Sequence, residues 1–244
     1  MAYIREGAPS YVRRLANEFT TRGITLPTEI RDALHQLDTL EANRPEQVGQ
    51  VQLIDAYLNE ASNEEIDALA VAAETCQRRT DAHREACIKH ALRTENLFTA
   101  HGTELTRALA TVAAPLIANL TRCAELYEDL AALVRAGRHD DAALIGQLDL
   151  DAAELQALYT VRGYVTTGAV WKVDWTDCSQ WKDPHRLDVI EYRGTTAERF
   201  LAGIRAGAGL WFPTPDESVA QAKPIAAEIR TGGRTHGRSG ANFA

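Results

Sequence analysis

The sequence has little of what marks an exported, membrane-spanning or disulfide-bonded protein. Its 244 residues contain no run of 18 apolar residues, and the first residues lack the basic and apolar regions of a signal peptide. The chain has four cysteines without C-x-x-C spacing: Cys76, Cys87, Cys123 and Cys178. Three of them fall in predicted helices. We therefore expect a soluble cytoplasmic protein with reduced thiols and no membrane partner.

Sequence motifs of the common enzyme classes are also missing. The chain contains no Walker loop, no G-x-G-x-x-G, no H-E-x-x-H and no G-x-S-x-G. Asp140, Asp141, Asp149 and Asp151 lack the glycine and the terminal glutamate of a calcium loop, and we interpret them as helix caps. The sequence predicts no cofactor and favours a protein that is not an enzyme.

Lysine is scarce, and acidic residues outnumber basic ones. The chain has 26 lysine and arginine residues against 34 aspartate and glutamate residues, which gives a formal net charge of -8. This charge argues against nucleic acid or anionic lipid as the main partner. The abundance of alanine, and of arginine over lysine, is typical of a GC-rich genome.

Tryptophan is absent from the first 163 residues, and this absence divides the chain by composition. The tryptophan-free part is rich in Ala, Leu, Arg and Glu and has helical periodicity. The tail is rich in glycine and arginine. We predict a mainly α protein with three parts: a helical bundle at 1–162 with a long helical hairpin at about 63–136, a Trp-rich α+β module at 163–230, and a basic tail at 231–244.

The longest helical pattern begins at a capping box, Ser62-Asn63-Glu64-Glu65. We predict two arms, each about 50 Å long at ~1.5 Å per residue, that form an antiparallel hairpin or coiled coil turning near residues 101–103. The second arm is predicted to reach Gly137, with a kink at Pro115. The outer part of the first arm, residues 77–96, is mostly polar and is predicted to project or to meet a partner.

Shorter elements are predicted after Gly137. Two short helices are expected, one capped by Asp140 and one running from about Asp149 or Asp151 to Gly163. Alternating β-branched and aromatic residues predict strands at 164–167, 170–175 and 187–192. Two further helices are predicted, one capped by Thr195 or Thr196 and one by Asp216.

Three side chains of the first arm have spacings found in metal sites. His83, Cys87 and His90 are separated by i, i+4 and i, i+3 steps, at which two side chains on one helix share a metal ion. A full ligand set would need another helix or chain, because Cys76 lies two turns from His83. A stripe of small residues for close packing explains the same pattern, and we predict no metal.

One segment has a pattern with a catalytic resemblance. Tyr192-Arg193-Gly194 ends a predicted strand, and a helix and then Leu210-Trp211-Phe212-Pro213-Thr214-Pro215-Asp216 follow. Over residues 187–220 this order resembles the arginine, serine, glutamate class of ADP-ribosyltransferases. The resemblance implies that Arg193 holds a phosphate of NAD and that Thr214 supplies the hydroxyl beside the nicotinamide. The catalytic glutamate motif of that family is missing, since the acids after Thr214 lie in predicted helix.

Arg193 and the tryptophans also have other interpretations. Arg193 is explained equally by a cation-π contact with the tryptophans or by pairing with Asp188 or Glu191. The four tryptophans are explained either as the core of a small module or as anchors of an interface, since Trp and Arg are enriched at binding hot spots.

The leading functional hypothesis is a non-enzymatic structural or assembly protein that docks on a larger complex. Its partners would be proteins, in a homo-oligomer or a large assembly, with the basic tail as the one route to nucleic acid. The composition suggests a phage virion component, of the head or tail, from a GC-rich actinobacterial host, present in host cytoplasm and virion. The predicted partner-binding residues are Trp171, Trp175, Trp181, Arg193, Trp211, Arg234 and Arg238.

Two alternatives belong to other functional classes. One is an NAD-binding enzyme, active or inactive, that resembles the ADP-ribosyltransferases and uses Arg193 and Thr214. The other is a regulatory module or a binding module of the toxin-antitoxin type.

Overall fold

The structure is a computed structural model that describes residues 7–45, 50–126, 130–187 and 194–231. Helices dominate it, which confirms the predicted mainly α fold class. Within these ranges no helix combines the length and the apolar composition needed to cross a membrane. In chain order the elements are α1 (Ala8–Thr20), α2 (Thr28–Ala42), α3 (Gln50–Leu58), α4 (Asn63–Ala100), α5 (Gly102–Glu125), α6 (Leu130–Arg135), α7 (His139–Val165), β1 (Lys172–Val173), β2 (Thr176–Asp177), a 3-10 helix (Pro184–Leu187), α8 (Thr196–Arg205) and α9 (Pro215–Arg230).

Local signals in the sequence set several helix ends. Ser62 and Glu65 form the predicted capping box: the Ser62 backbone N–H donates to Glu65 Oε2 at 3.0 Å, and the Glu65 N–H donates to Ser62 Oγ at 3.3 Å. Thr195 caps α8 as predicted. α4 ends at Ala100 and α5 begins at Gly102, so the break between the two long helices is confirmed. The pairing of the two arms stays a prediction.

The chain divides into two compact units, one through Phe98 and one from Thr99, called unit 1 and unit 2 below. The predicted division at residue 162 falls inside α7. α7 packs against both α5 and α8, so in unit 2 the last helices before residue 163 share their core with the module that follows. The change in composition at residue 163 therefore does not coincide with a break in packing.

In unit 1, α1 and α2 pack against the second half of α4. Val12 of α1 and Ala91 of α4 are fully buried in one cluster. Phe19 and Phe98 are also fully buried, with ring centroids 6.1 Å apart. Burying one such side chain contributes about 1.5–3 kcal/mol. Part of the segment 77–96 therefore packs on helices of its own unit, whereas most positions from 77 to 86 are exposed. A separate partner at those positions stays a prediction.

In unit 2, the prediction of two short helices between residues 140 and 163 was wrong. Asp149 and Asp151 lie inside the continuous helix α7 and do not cap a helix. Asp151 instead accepts a hydrogen bond from Asn119 Nδ2 of α5 at 2.8 Å. The second predicted arm is also shorter than expected, because α5 ends at Glu125.

The predicted strand at residues 164–167 was also wrong, since α7 continues through Val165. The Val165 carbonyl lies against Gly102, and any side chain at Gly102 would collide with it. This close packing favours helix over the local β propensity of the segment. The helix–helix core beside it is made of fully buried side chains: Leu105, Leu109, Leu120, Leu155, Leu158 and Phe200.

Within the described residues, the sheet of the C-terminal module is smaller than predicted, because the predicted strand 170–175 is reduced to Lys172–Val173. β1 and β2 pair antiparallel, with Val173 opposite Thr176, so the loop between them is Asp174 and Trp175. α9 packs on this hairpin. Of the predicted strand 187–192, Leu187 ends the 3-10 helix and the remaining positions lie outside the described residues.

Candidate functional site

A buried arginine holds the C-terminal module together. Arg162 of α7 is only 4% exposed. Its guanidinium carbon lies 4.4 Å from the ring centroid of Trp171, 4.7 Å from that of Phe212 and 4.8 Å from that of Tyr159. Its Nη1 donates to the carbonyl of Pro213 at 3.3 Å. We call this arrangement the Arg162 cage; it joins α7 to the chain before β1 and to the chain before α9.

The electrostatics of the cage follow from its burial. Burial lowers the pKa of Arg162 to about 10, so the side chain is still a cation at neutral pH. Burial also raises the pKa of the Tyr159 phenol above its ordinary range. The Tyr159 hydroxyl donates to the Trp211 carbonyl at 2.6 Å. The aromatic faces stabilise a cation that water no longer solvates, which makes the cage a structural site.

The structure describes all four tryptophans. Three of them pack within the C-terminal module: Trp171, Trp181 and Trp211. Trp171 forms part of the Arg162 cage, and its carbonyl accepts a hydrogen bond from Ser218 at 2.6 Å. Trp181 is 8% exposed and packs 6.1 Å from the Phe200 ring, measured between centroids. Trp211 Nε1 donates to the Cys178 carbonyl at 2.8 Å. These three side chains therefore serve the core.

Trp175 is placed differently, at the tip of the β1–β2 hairpin. Its side chain is 83% exposed. The preceding residue, Asp174, has a φ of 52°, a left-handed conformation that aspartate adopts more readily than most residues. This tight loop holds the indole in solvent, where it is available to a partner.

A pocket of about 430 Å³ lies beside Trp175. Ala226 and Ile229 of α9 supply part of its wall. Asp174 Oδ2 lies 3.6 Å from Arg230 Nε at the same site, and their side chains are 52% and 68% exposed. An ion pair this exposed contributes at most about 1 kcal/mol. Either side chain can therefore leave the pair and bind a charged group of another molecule. We call this arrangement the Trp175 pocket.

Of the two residues implied by the ADP-ribosyltransferase resemblance, the structure describes Thr214. Thr214 is 3% exposed and caps α9, where its hydroxyl lies 3.0 Å from Glu217 Oε2. Arg193 lies outside the described residues, as do the tail residues Arg234 and Arg238. The role of Arg193 stays a prediction.

The metal-ligand candidates of α4 bind helix α2. His83 Nε2 donates to the Leu40 carbonyl at 2.7 Å, and His90 Nε2 donates to the Ala33 carbonyl at 2.8 Å. Cys87 Sγ lies 3.9 Å from His83 Nδ1, and burial raises the pKa of its thiol. Among the described residues no three His, Cys, Asp or Glu side chains form a metal-binding group. The spacing reflects packing of α4 on α2.

Sequence reasoning missed Arg162, although a signal was present. Leu155, Leu158 and Tyr159 are buried on one face of α7, and position 162 continues that face at i+7, i+4 and i+3. An arginine on an apolar face needs a partner inside the core, and three aromatic rings provide it here.

Comparison with known proteins gives no guide to the role of these residues. No family model matches the chain, and neither the curated proteins nor the solved structures give a significant match.

Proposed function

We propose that the chain is a non-enzymatic assembly protein that docks through the Trp175 pocket on an acidic protein surface presenting an apolar side chain. The observation that carries the proposal is the 83% exposure of Trp175 beside a formed pocket, while the other tryptophans pack inward. Tryptophan is among the residues most enriched at binding hot spots.

The energetics of an exposed indole support docking. An aromatic side chain buries roughly 200 Å² at an interface, which at ~25 cal/mol per Å² contributes on the order of 5 kcal/mol before the costs of association. The short hairpin loop holds Trp175 in place, so less freedom is lost on binding than for a flexible segment. Trp175 is therefore the expected anchor.

The charge of the tail indicates the chemistry of the partner. α9 ends at Arg230, which lines the pocket, and the chain continues from Thr231 into its last residues. Residues 232–244 include Arg234, His236 and Arg238 and contain no aspartate or glutamate. A segment of this length reaches at most about 45 Å from the pocket. Its positive charge complements an acidic surface around the docking site.

The finer proposal is that the complex is a phage virion, with the chain as a head or tail component. It is supported by the composition, which has many arginines and alanines and few lysines. A homo-oligomer or a larger assembly fits the same proposal, since an exposed anchor on each copy allows repeated docking.

The test uses Trp175→Ala with Leu150→Ala as the matched control. Both side chains are exposed in unit 2, at 83% and 66%, but Leu150 lies on α7 and does not line the pocket. Proteins that cross-link to the wild-type chain in the cells that encode it would first be identified. The acidic proteins among them would then be purified as candidate partners. We expect one of them to bind the wild type and Leu150→Ala equally, and Trp175→Ala at least about tenfold more weakly.

A second variant, Arg234→Glu with Arg238→Glu, tests the tail. It should weaken binding of the same partner, with a loss that shrinks as salt rises. The proposal is overturned if Trp175→Ala binds every purified candidate as the wild type does. It is also overturned if the bound material is nucleic acid that a nuclease removes.

A further inference from the structure

One side of the short helix α3 in unit 1 is apolar and lies in solvent. Four large apolar side chains of this helix are 52–74% exposed: Val51, Ile54, Tyr57 and Leu58. We propose that this side of α3 is a docking site for a basic amphipathic helix of a partner protein. It is called the α3 face below, and it does not depend on the docking proposed for Trp175.

The spacing of the four side chains places them together. Val51, Ile54 and Leu58 stand at i, i+3 and i+7, and at about 100° per residue all four fall within an arc of about 120°. The half-buried positions of α3, Leu53 and Ala56, lie outside this arc. The packing that α3 makes within its own unit therefore leaves the α3 face uncovered in the described structure.

The turn after α3 holds the α3 face at the start of α4. The Ala61 N–H donates to the Ala56 carbonyl at 3.0 Å, and Glu60 between them has a φ of 53°, the left-handed conformation that ends many helices. The capping box at Ser62 then begins α4. Because the helix is fixed at this end, it loses less freedom on binding than a flexible segment would.

The charges around the α3 face are mostly negative. Residues 44–79 contain seven acidic side chains and three arginines, a net charge of -4, and the arginines stand at the two ends of this stretch. One of them, Arg78, pairs with Glu74 at 2.6 Å. Four of the acidic side chains are exposed between α3 and the second turn of α4: Asp55, Glu60, Glu64 and Asp67. The complementary partner is therefore cationic.

The same charges decide between possible occupants. A second copy of the α3 face would bring acidic side chains opposite each other, and like charges across an interface weaken binding. Nucleic acid would be repelled for the same reason. The tail of the chain itself, residues 232–244, is basic but has four glycines and one large apolar side chain, Phe243, so it does not supply an apolar stripe. A helix with leucine-like residues on one side and Lys or Arg beside them matches both features of the site.

The size of the α3 face indicates how such a partner is held. Four exposed apolar side chains offer on the order of 400 Å² of surface. Each partner of a standard interface buries about 800 Å², so the apolar contact supplies only part of it. The rest must come from the acidic surround, where carboxylates pair with the cations of the partner. We therefore expect an affinity that falls as the salt concentration rises.

The experiment titrates the full-length chain with three fluorescent synthetic peptides of about 18 residues, or five helical turns. The first has leucines along one helix face and lysines elsewhere. The second has the same composition with the leucines scattered, and the third replaces the lysines of the first by glutamates. Fluorescence anisotropy should show saturable binding of the first, at least about tenfold weaker binding of the second and none of the third. Equal binding of the two lysine peptides, or no binding of the first, would overturn the proposal.

Matched truncations locate the site. Ile54→Ala with Leu58→Ala removes two side chains of the α3 face and keeps good helix formers. The control is Leu130→Ala with Val134→Ala, an exposed pair with the same i, i+4 spacing on the short helix α6. The first pair should raise the dissociation constant of the striped lysine peptide at least about tenfold, and the control should leave it unchanged. An equal loss in both, or no loss at the α3 face, would place the peptide elsewhere.

A change of charge alone tests the acidic surround without truncating the apolar side chains. Asp55→Asn should weaken binding of the striped lysine peptide about threefold at low salt, and the difference from the wild type should vanish at high salt. Asp149→Asn, which removes an exposed aspartate of α7, should bind as the wild type does. Equal effects of the two substitutions would mean that only the total charge of the chain attracts the peptide.

Two measurements distinguish the other occupants. Sedimentation should give the same mass for the wild type and for the Ile54→Ala, Leu58→Ala variant. An assembly of the wild type that this variant abolishes would identify the occupant as a second copy and overturn the proposal. A synthetic peptide of residues 231–244 should not displace the striped lysine peptide, and displacement would assign the α3 face to the tail of the chain instead.

Discussion

The guanidinium of Arg162 stacks over the indole of Trp171, with 4.4 Å between the guanidinium carbon and the ring centroid. The two residues belong to different elements, since Arg162 is near the end of α7 and Trp171 directly precedes β1. The contact therefore fixes the approach of the hairpin to the helical part of unit 2. A buried cation among aromatic rings needs a planar group, which makes arginine rather than lysine the suitable side chain.

Substitution of Arg162 should destabilise unit 2. We expect Arg162→Ala to lower the free energy of unfolding by about 2–4 kcal/mol, because it removes the cation and leaves a cavity among three rings. Arg162→Lys should cost roughly 1–2 kcal/mol, since lysine keeps the charge but not the planar stacking. The control is Arg199→Ala, an exposed arginine whose guanidinium carbon lies 5.5 Å from the Phe200 centroid. Urea unfolding should show a change within about 0.5 kcal/mol for that control. An equal loss at both positions would contradict a structural role for the cage.

The buried phenol of Tyr159 predicts a loss of stability at alkaline pH. Burial raises the pKa of Tyr159, so the folded state keeps its proton at a pH where the unfolded state has released it. The stability contributed by the neutral phenol is complete below about pH 10, the ordinary tyrosine pKa, and is lost as pH rises from there toward the folded value. Tyr159→Phe should make the free energy of unfolding fall less steeply between about pH 9.5 and about pH 11. Tyr164→Phe, on the same helix but 42% exposed, is the matched control for the removal of a phenol.

The exposure of the tryptophans predicts opposite results for two substitutions. Trp175→Ala should change the free energy of unfolding by less than about 0.5 kcal/mol, since its side chain is 83% exposed. Trp181→Ala should lower it by about 3–5 kcal/mol, because Trp181 is buried against Phe200. Iodide quenching of fluorescence offers a second measurement. Trp175→Phe should remove most of the quenchable emission, because Trp171 and Trp211 are only partly exposed and Trp181 is buried. Unchanged quenching would contradict the exposure of Trp175.

Two glycines of unit 2 should respond differently to a methyl group. Gly102→Ala would place its methyl group against the Val165 carbonyl, and this overpacking should cost about 1–3 kcal/mol. Gly146 lies inside α7 with nothing within 4 Å of an added Cβ. Gly146→Ala should therefore stabilise the chain by about 0.5–1 kcal/mol through its higher helix propensity. Denaturant unfolding of the two variants beside the wild type would check both signs.

The division between the units predicts how the chain can be cut. A fragment of residues 99–244 keeps α5, α7 and α8 together and should unfold cooperatively. A fragment of residues 163–244 lacks both Tyr159 and Arg162, so its aromatic side chains lose the groups they pack against. We expect that shorter fragment to give no cooperative transition by circular dichroism. Cooperative unfolding of residues 163–244 would instead support a separate C-terminal module.

Features of the fold that depend on neighbouring residues could be predicted from the sequence. The capping box at Ser62 and the cap of α8 at Thr195 are read from a few adjacent side chains. The start of α9 was misplaced by only two residues, because Pro215 takes the first helical position and leaves Thr214, not Asp216, as the cap. In each case the residues that are recognised in the sequence are the same residues whose hydrogen bonds fix the start of the helix.

Features that depend on distant residues could not be predicted in the same way. Residues 164–167 have β-branched side chains, yet Val165 is helical because Gly102, far away in sequence, lets α7 approach α5 closely. The cation over the Trp171 ring is Arg162 of α7, which no local pattern around Trp171 indicates.

The four buried cysteines have a practical consequence. Cys76 and Cys87 lie in unit 1, Cys123 and Cys178 lie in unit 2, and each is at most 8% exposed. An alkylating reagent can reach such a thiol only when the surrounding structure opens, so its rate of reaction reports the free energy of that opening. Mass spectrometry of the labelled peptides would thus measure the opening of each unit separately in the native chain, with two natural reporters in each and no engineered label.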